Sequence, residues 1–274
     1  MSEPIVEQQV CKSCGNRFRG SYCNVCGEKV LTGADRAFKT FLNSILVAIT
    51  FADSAFLRTL KEVLIRPGNF SKSFIEGKRV KFVRPISLFL VLNIFYFFFP
   101  LIQLFNASLN TQLLTPFAPL YKEIIATKMV NMELDIENFS LVYNIKTRTL
   151  AKMMVMVFVF FSSLPLNLIF IKRNRFFTDH IDFMTEVASF NLFANALVLT
   201  VLVNLFGLGH YLNELSLTAI FIITNLYFLL RGIHTFYETN GWRLILKSVL
   251  VIIGMKIGLE IYRALLFFLT ILLL

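Results

Sequence analysis

The chain has 274 residues, of which 56% are hydrophobic and only 16% are charged, and its mean hydropathy is +0.68. Because soluble domains carry about 25% charged residues, this composition excludes an ordinary soluble domain and indicates a membrane protein. The formal net charge is +10, and its uneven distribution along the chain predicts an orientation in the membrane, as argued below.

All four cysteines lie within the first 26 residues, as Cys11-x2-Cys14 and Cys23-x2-Cys26. Two such pairs bring four thiolates around one tetrahedral ion, which predicts a small N-terminal zinc ribbon over residues 1–33 with these cysteines as the Zn²⁺ ligands. Two disulfides or an iron centre are the alternatives. The doubled spacing and the lack of any other cysteine favour zinc over disulfides.

The residues around the cysteine pairs support a tight metal-binding fold. Gly15 and Gly27 each follow the second cysteine of a pair, where glycine tolerates the positive φ of a tight turn. The eight residues between the pairs leave room for one short hairpin. So short a segment cannot bury a core, and we therefore expect the ion to supply most of its folding free energy.

Residues 34–84 form the second predicted segment. Apolar residues recur at helical spacing over 34–66, but charges interrupt them too often for a comfortable membrane span. We therefore expect an amphipathic helix on the inner leaflet or against the bundle. A sixth span over 41–57 is the alternative, and Asp53 disfavours it because a charge at mid-bilayer costs a few kcal/mol. Pro67-Gly68 should end the helix.

A basic cluster precedes the first long apolar stretch. It consists of Lys78, Arg79, Lys81 and Arg84, interleaved with apolar residues. Such charges are attracted to the anionic headgroups of the inner leaflet, which is their predicted role. A zinc ribbon beside basic residues also fits nucleic-acid binding, but headgroups already explain these charges and the aromatic pattern is typical of a membrane protein.

Residues 85–274 are predicted to form an all-α polytopic bundle, because a span needs about 20 apolar residues to cross the hydrocarbon core. The five predicted spans cover residues 85–105, 151–171, 187–208, 212–230 and 244–274. Residues 106–150 form an external loop between the first two spans. The fifth stretch is longer than one span needs, and it fits either one tilted helix or a surface helix that continues into a shorter span.

The charges of the linkers predict the orientation. Residues 1–84 carry 14 Lys and Arg against seven Asp and Glu, whereas residues 106–150 carry four of each. Basic linkers follow the second and fourth spans, and the turn after the third has no Lys or Arg. Because basic linkers remain in the cytosol, we expect a cytosolic N-terminus and an external C-terminus. A reducing cytosol also suits metal-bound thiolates.

The last predicted span contains three charged residues, Lys256, Glu260 and Arg263, at i, i+4 and i+7 on one helical face. Ionisable residues within a bilayer are rare, so this charged triad is a candidate intramembrane site. A neutralised structural stripe, or side chains that reach the interface, is the alternative explanation. Gly254 and Gly258 on the opposite face permit a close helix approach, including one in a homo-oligomer.

Further polar residues are interpreted as ordinary linker or packing residues. Asp179, His180, Asp182 and Glu186 lie in the linker before the third span, where a second metal site is the alternative. Buried asparagines in the spans are expected to hydrogen bond inside the bundle: Asn93, Asn191, Asn195 and Asn225.

Several short motifs occur together in the first hundred residues. They are Cys11-x2-Cys14-Gly15, Tyr22-Cys23-x2-Cys26-Gly27-Glu28, Arg58-Thr59-Leu60, Arg66-Pro67-Gly68, Gly77-Lys78-Arg79 and Arg84-Pro85. This combination resembles the bacterial membrane family called domain of unknown function 3667, most densely over residues 11–99. The resemblance implies a bacterial inner-membrane protein with the four cysteines as zinc ligands. It implies no mechanism, because the family has no established activity.

A non-enzymatic adaptor or scaffold is the predicted function, in which membrane spans hold a cytosolic zinc ribbon that binds a partner protein. The alternative is a transporter, channel or lipid-handling protein that uses the polar and charged residues of the last span. A membrane enzyme or sensor is a third class. It has less support, because the sequence shows no nucleophile elbow, no phosphate-binding glycine loop and no paired zinc-protease histidines.

Overall fold

A computed structural model describes most of the chain. The described residues are 9–11, 14–27, 54–77, 82–99, 102, 104–115, 117–173, 175–211 and 213–274. The chain divides into two compact units, Met1–Ser54 and Ala55–Leu274. The first contains the cysteines and the second is a helical bundle.

The N-terminal unit contains a two-stranded antiparallel sheet. Strand β1, Gln9–Val10, pairs with β2, Arg17–Phe18, and Gln9 lies opposite Phe18. The strands therefore enclose the first cysteine pair, whereas the sequence placed the hairpin between the two pairs. The sequence did not predict β1, because Gln9–Val10 lies before Cys11 in a stretch that has no turn residues to indicate a hairpin.

The second unit is helical, and the described residues form ten α-helices. They are α1 Ser54–Ile65, α2 Asn69–Ile75, α3 Pro85–Phe98, α4 Leu109–Gln112, α5 Ala118–Met132, α6 Ile136–Met153, α7 Val155–Ile169, α8 Phe177–Phe206, α9 Glu214–Tyr237 and α10 Trp242–Leu273. Asn191–Val198 within α8 is π-helical. The predicted break at Pro67-Gly68 separates α1 from α2, and most of the predicted amphipathic helix lies outside the described residues.

Two helices of the described residues, Phe177–Phe206 and Leu215–Tyr237, are long and apolar enough to cross a membrane. They contain most of the third and fourth predicted spans, and they indicate a membrane protein. The count rises to three if α6 and α7, which meet at an angle of 62°, form one broken span. Five spans are therefore not confirmed.

The first two predicted spans differ most from the structure. Helix α3 ends at Phe98 after 14 residues, which is about 21 Å and short of the ~30 Å hydrocarbon core. The second predicted span corresponds to α7, which has 15 residues. In both cases the apolar run continues beyond the helix, so composition overestimated helix length. Helix α10 has 32 residues, but Lys256, Glu260 and Arg263 interrupt its apolar character.

Residues 106–150, predicted as an external loop, contain α4, α5 and most of α6. Their buried side chains form a small hydrophobic cluster with the end of α10, in which Tyr121 stacks on Phe267 at a centroid distance of 4.0 Å. The larger core contains residues of helices α1, α2 and α3 and of all five helices from α6 through α10. The bundle therefore has one main core and a smaller helical layer near the C-terminus.

Helices α7 and α10 approach each other closely at the two glycines singled out in the sequence. A Cβ atom on Gly254 would lie 2.6 Å from Cβ of Pro165, and one on Gly258 would lie 2.7 Å from Oγ of Ser162. Neither distance is compatible with a side chain at these positions. The small residues therefore serve a contact within this chain, between α7 and α10.

Candidate functional site

The four cysteine thiols converge on one point in the N-terminal unit. Sγ of Cys11 lies 3.4 Å from Sγ of Cys26, and Sγ of Cys14 lies 3.6 Å from Sγ of Cys23. All four sulfur atoms lie within 4.8 Å of one another. A tetrahedral ion with bonds of about 2.3 Å separates its sulfur ligands by about 3.8 Å. The cluster therefore fits a tetrahedral metal ion.

Local backbone geometry explains how the sequence builds this cluster. Gly15 and Gly27 have φ values of 73° and 75°, as the sequence predicted. Each donates its N–H to the carbonyl oxygen of the first cysteine of its pair, at 2.9 Å for both Cys11 and Cys23. These left-handed turns fold each pair back on itself. Cys11 and Cys23 are buried together with Phe18.

The surroundings of Cys23 favour the deprotonated form of its thiol. The backbone N–H groups of Cys26 and Val25, together with the neighbouring thiols, lower the pKa of Cys23 to about 6. Because the thiolate is the form that binds metals, this environment favours coordination at neutral pH. The four cysteines predicted from spacing are thus brought together as a candidate metal centre.

The predicted lipid-headgroup cluster is only partly described. Arg84 is exposed at the start of α3, next to Pro85. Lys78, Arg79 and Lys81 lie outside the described residues. Contact between this cluster and anionic lipids therefore stays a prediction.

The structure brings the charged triad of α10 together as predicted. Oε1 of Glu260 lies 2.6 Å from Nζ of Lys256 and 3.5 Å from Nη1 of Arg263. One carboxylate oxygen thus bridges two cations. The Lys256 side chain is 63% exposed and that of Arg263 is 17% exposed, so the triad runs from the surface of the helix into its packed side.

We expect Glu260→Gln to destabilise the protein by more than the ~0.5 kcal/mol typical of an exposed ion pair, if the triad lies at membrane depth. The reason is that the change leaves two cations without their shared anion in a low-dielectric setting. Unfolding in mixed micelles measures the effect, and Glu123→Gln on the exposed surface of α5 is the matched control. Wild-type stability in Glu260→Gln would show that the triad faces water.

Three of the residues interpreted as linker residues are instead buried within α8, so that interpretation is wrong for Asp179, His180 and Glu186. Nδ1 of His180 lies 2.6 Å from the hydroxyl of Tyr237, and His180 is almost fully buried. Glu186 is completely buried. The helix begins at Phe177, ten residues before the predicted span, because the apolar face of α8 extends back past its polar residues.

Glu186 joins α8 to the segment that follows α1. Its carboxylate accepts hydrogen bonds from the backbone N–H of Gly68 at 2.8 Å and of Ser71 at 2.9 Å, and also from the Ser71 hydroxyl. A buried carboxylate is tolerated here because these donors satisfy it. The sequence contained a signal for this burial. Glu186 lies three residues after Phe183 and four residues before Phe190, and this spacing places it on the same apolar helical face.

The asparagines predicted to hydrogen bond inside the bundle do so. Asn191 and Asn225 each donate from Nδ2 to Oδ1 of the other at 2.9 Å. Asn195 donates to Asn191 at 2.7 Å and exchanges hydrogen bonds with Thr224. This closed network links α8 to α9. Nδ2 of Asn93 donates to the carbonyl oxygen of Lys152 at 3.1 Å, which joins α3 to α6.

Comparison with known proteins adds one finding. The family described as Protein of unknown function (DUF3667) matches residues 53–97. Comparison with curated proteins and with solved structures yields no match. The matched stretch contains α1, the turn at Pro67-Gly68, α2 and most of α3. The buried Glu186 joins the turn and α2 of this stretch to α8. The matched stretch begins after the four cysteines. The match agrees with the resemblance that the sequence motifs indicated, and it shows that residues 53–97 are similar to the DUF3667 family.

Proposed function

We propose that the protein is a non-enzymatic membrane scaffold whose N-terminal unit, folded around Zn²⁺, binds a partner protein. The convergence of the four thiols carries this proposal. A site made of four cysteine ligands has no open position for a substrate, so its ion holds a small fold together. The apolar helices of the second unit hold that fold at a membrane.

The surface of the N-terminal unit supports a docking role. Val10, Tyr22 and Val25 are 59%, 60% and 68% exposed, although the unit has very little apolar surface to bury. Exposed aromatic and aliphatic side chains on a rigid support are typical of the centres of protein interfaces. A partner that covers these side chains is therefore the expected ligand of this unit.

We further propose that the membrane is the bacterial cytoplasmic membrane, with a cytosolic N-terminus and an external C-terminus. The charge asymmetry of the linkers supports this orientation, and zinc-bound thiolates suit a reducing compartment. A cysteine at Asn110 should react with an impermeant thiol reagent added to intact cells, whereas one at Asn240 should not. The reverse order of labelling would contradict the orientation.

The docking role is tested by affinity capture from solubilised membranes after cross-linking. The intact protein should recover a defined partner that is lost with Cys11→Ser/Cys14→Ser and with Tyr22→Ala/Val25→Ala. Val130→Ala, which truncates a side chain 77% exposed on the helical unit, is the control and should retain the partner. Recovery of the same proteins by all variants would refute the proposal.

A transporter, channel or lipid-handling protein is the second candidate, and the charged triad of α10 is the observation that favours it. Lys256→Met/Glu260→Leu removes two opposite charges together and should preserve folding. If this variant shows the same phenotype as a deletion strain while Tyr22→Ala/Val25→Ala behaves as wild type, the triad carries the function and the second candidate replaces the first.

A further inference from the structure

Five basic side chains from separate parts of the sequence meet at one end of the helical unit. We call this set the cationic rim: Lys72, Arg173, Arg175, Arg243 and Lys247. Nζ of Lys72 lies 2.7 Å from the carboxylate of Glu238. Nη2 of Arg173 lies 3.1 Å from the carbonyl oxygen of Glu238.

Electrostatic interactions connect the rest of the cationic rim. Arg175 interacts with Glu238, and Lys247 interacts with both Arg173 and Arg243. Two acids interact with members of this set: Glu238, and Asp179, which interacts with His180 and Tyr237 as Arg175 does. Lys72 and its neighbours hold the pKa of Glu238 below its usual value. The five cations of the cationic rim therefore outnumber these two carboxylates.

Carbonyl groups and aromatic rings hold three of these cations in place without neutralising them. The Arg175 guanidinium donates to the carbonyl oxygen of Phe236 at 3.2 Å and lies 5.0 Å from the centroid of its ring. The ammonium of Lys247 lies 4.4 Å from the centroid of the Phe170 ring. Arginine has five N–H donors, so Arg173 and Arg175 each retain donors for a further ligand.

The cationic rim lies where the two apolar helices end. The helix Phe177–Phe206 begins there and Leu215–Tyr237 finishes there. Two aromatic side chains at the same end are strongly exposed, Phe176 at 79% and Trp242 at 69%. Exposed aromatic residues beside the ends of apolar helices are characteristic of the membrane–water interface, at the depth of the lipid headgroups.

We propose that the cationic rim binds a phosphate group, and that the group belongs to an anionic phospholipid. Guanidinium donors match phosphate oxygens in geometry, and the clustered positive charges supply the attraction. The flanking exposed aromatics and the ends of the apolar helices place a lipid phosphate at this height. The site involves none of the cysteines and is independent of the role proposed for them.

The only tryptophan of the chain, Trp242, is adjacent to Arg243 and reports binding directly. The full-length protein in neutral detergent is titrated with phosphatidylglycerol that carries brominated acyl chains, and separately with the matching brominated phosphatidylcholine. Brominated phosphatidylglycerol should quench the fluorescence of Trp242 saturably. Its half-saturating concentration should be at least ten-fold lower than that of brominated phosphatidylcholine. Equal quenching by the two lipids would overturn the proposal.

Variants test which side chains are responsible. Removing one basic residue near an anionic headgroup weakens binding by about five-fold, so Arg173→Gln/Lys247→Gln should raise the half-saturating phosphatidylglycerol concentration by about 25-fold. Lys122→Gln/Lys128→Gln on α5 removes the same charge elsewhere and should match wild type. Arg173→Lys/Lys247→Arg retains the charge and should bind within a few-fold of wild type. Unchanged binding by the glutamine variant, or equal loss in the Lys122/Lys128 control, would also overturn the proposal.

Inorganic phosphate distinguishes the source of the group. If millimolar phosphate fails to displace phosphatidylglycerol, the ligand is the lipid, as proposed. If phosphate displaces the lipid from wild type and the glutamine variant binds neither, phosphate recognition is upheld but a soluble phosphate compound is its source. The comparison of the two lipids uses wild type alone, so it decides the proposal even if the glutamine variant fails to fold.

Discussion

Replacing Cys11 and Cys14 by serine is expected to abolish metal binding, whereas the purified intact protein should hold about one zinc ion per chain. The two remaining thiolates, Cys23 and Cys26, cannot complete a tetrahedral site. Apparent zinc-binding free energies of about 10–16 kcal/mol in comparable small domains make the loss equivalent to unfolding of the unit. This is the largest effect that we expect from any change in the chain.

Elemental analysis of the purified protein measures the metal, and protection of residues 9–27 from protease measures folding of the unit. Ser21→Ala, a polar truncation at an exposed position of the same unit, should retain both metal and protection. Iron in place of zinc would identify a different ion in the same ligand set. Absence of metal with disulfide-bonded cysteines would contradict both the metal site and the cytosolic orientation.

Gly68→Ala is expected to destabilise the helical unit by about 2–5 kcal/mol. Gly68 has a φ of 80°, and a Cβ atom there would lie 2.5 Å from the carbonyl oxygen and 2.8 Å from Cα of Gly232 in α9. A non-glycine residue in this conformation costs about 1–2 kcal/mol, and overpacking against backbone adds about 1–3 kcal/mol. The backbone N–H of Gly68 also binds Glu186, so any movement weakens that contact.

Gly77→Ala is the matched control for this change. Gly77 has a φ of 87°, but a Cβ atom there would meet no other atom within 4 Å. The control therefore carries the conformational cost alone, about 1–2 kcal/mol. Unfolding free energies in mixed micelles give the comparison. Equal losses in the two variants would mean that α9 does not pack against Gly68 as the structure shows.

The features that the sequence predicted correctly are local ones. The spacing of the cysteines predicted a four-thiol cluster, because each Cys-x2-Cys turn sets the position of its own two sulfur atoms. The positive φ values of Gly15 and Gly27 were predicted for the same reason. High apolar content predicted membrane helices, and the i, i+4, i+7 spacing on α10 predicted that Glu260 bridges Lys256 and Arg263.

The tertiary structure decided whatever depends on contacts between distant residues. Glu186 binds the backbone of Gly68, 118 residues away in the chain, and no local pattern contains that pairing. Helix α3 ends at Phe98, and Phe99, which precedes Pro100 in the sequence, is extended. The end of α3 therefore has a local cause, which an estimate of span length from apolar composition alone overlooked. The cationic rim joins residues from three separate segments, so sequence alone determined the charge of each linker and only the fold brought those charges together.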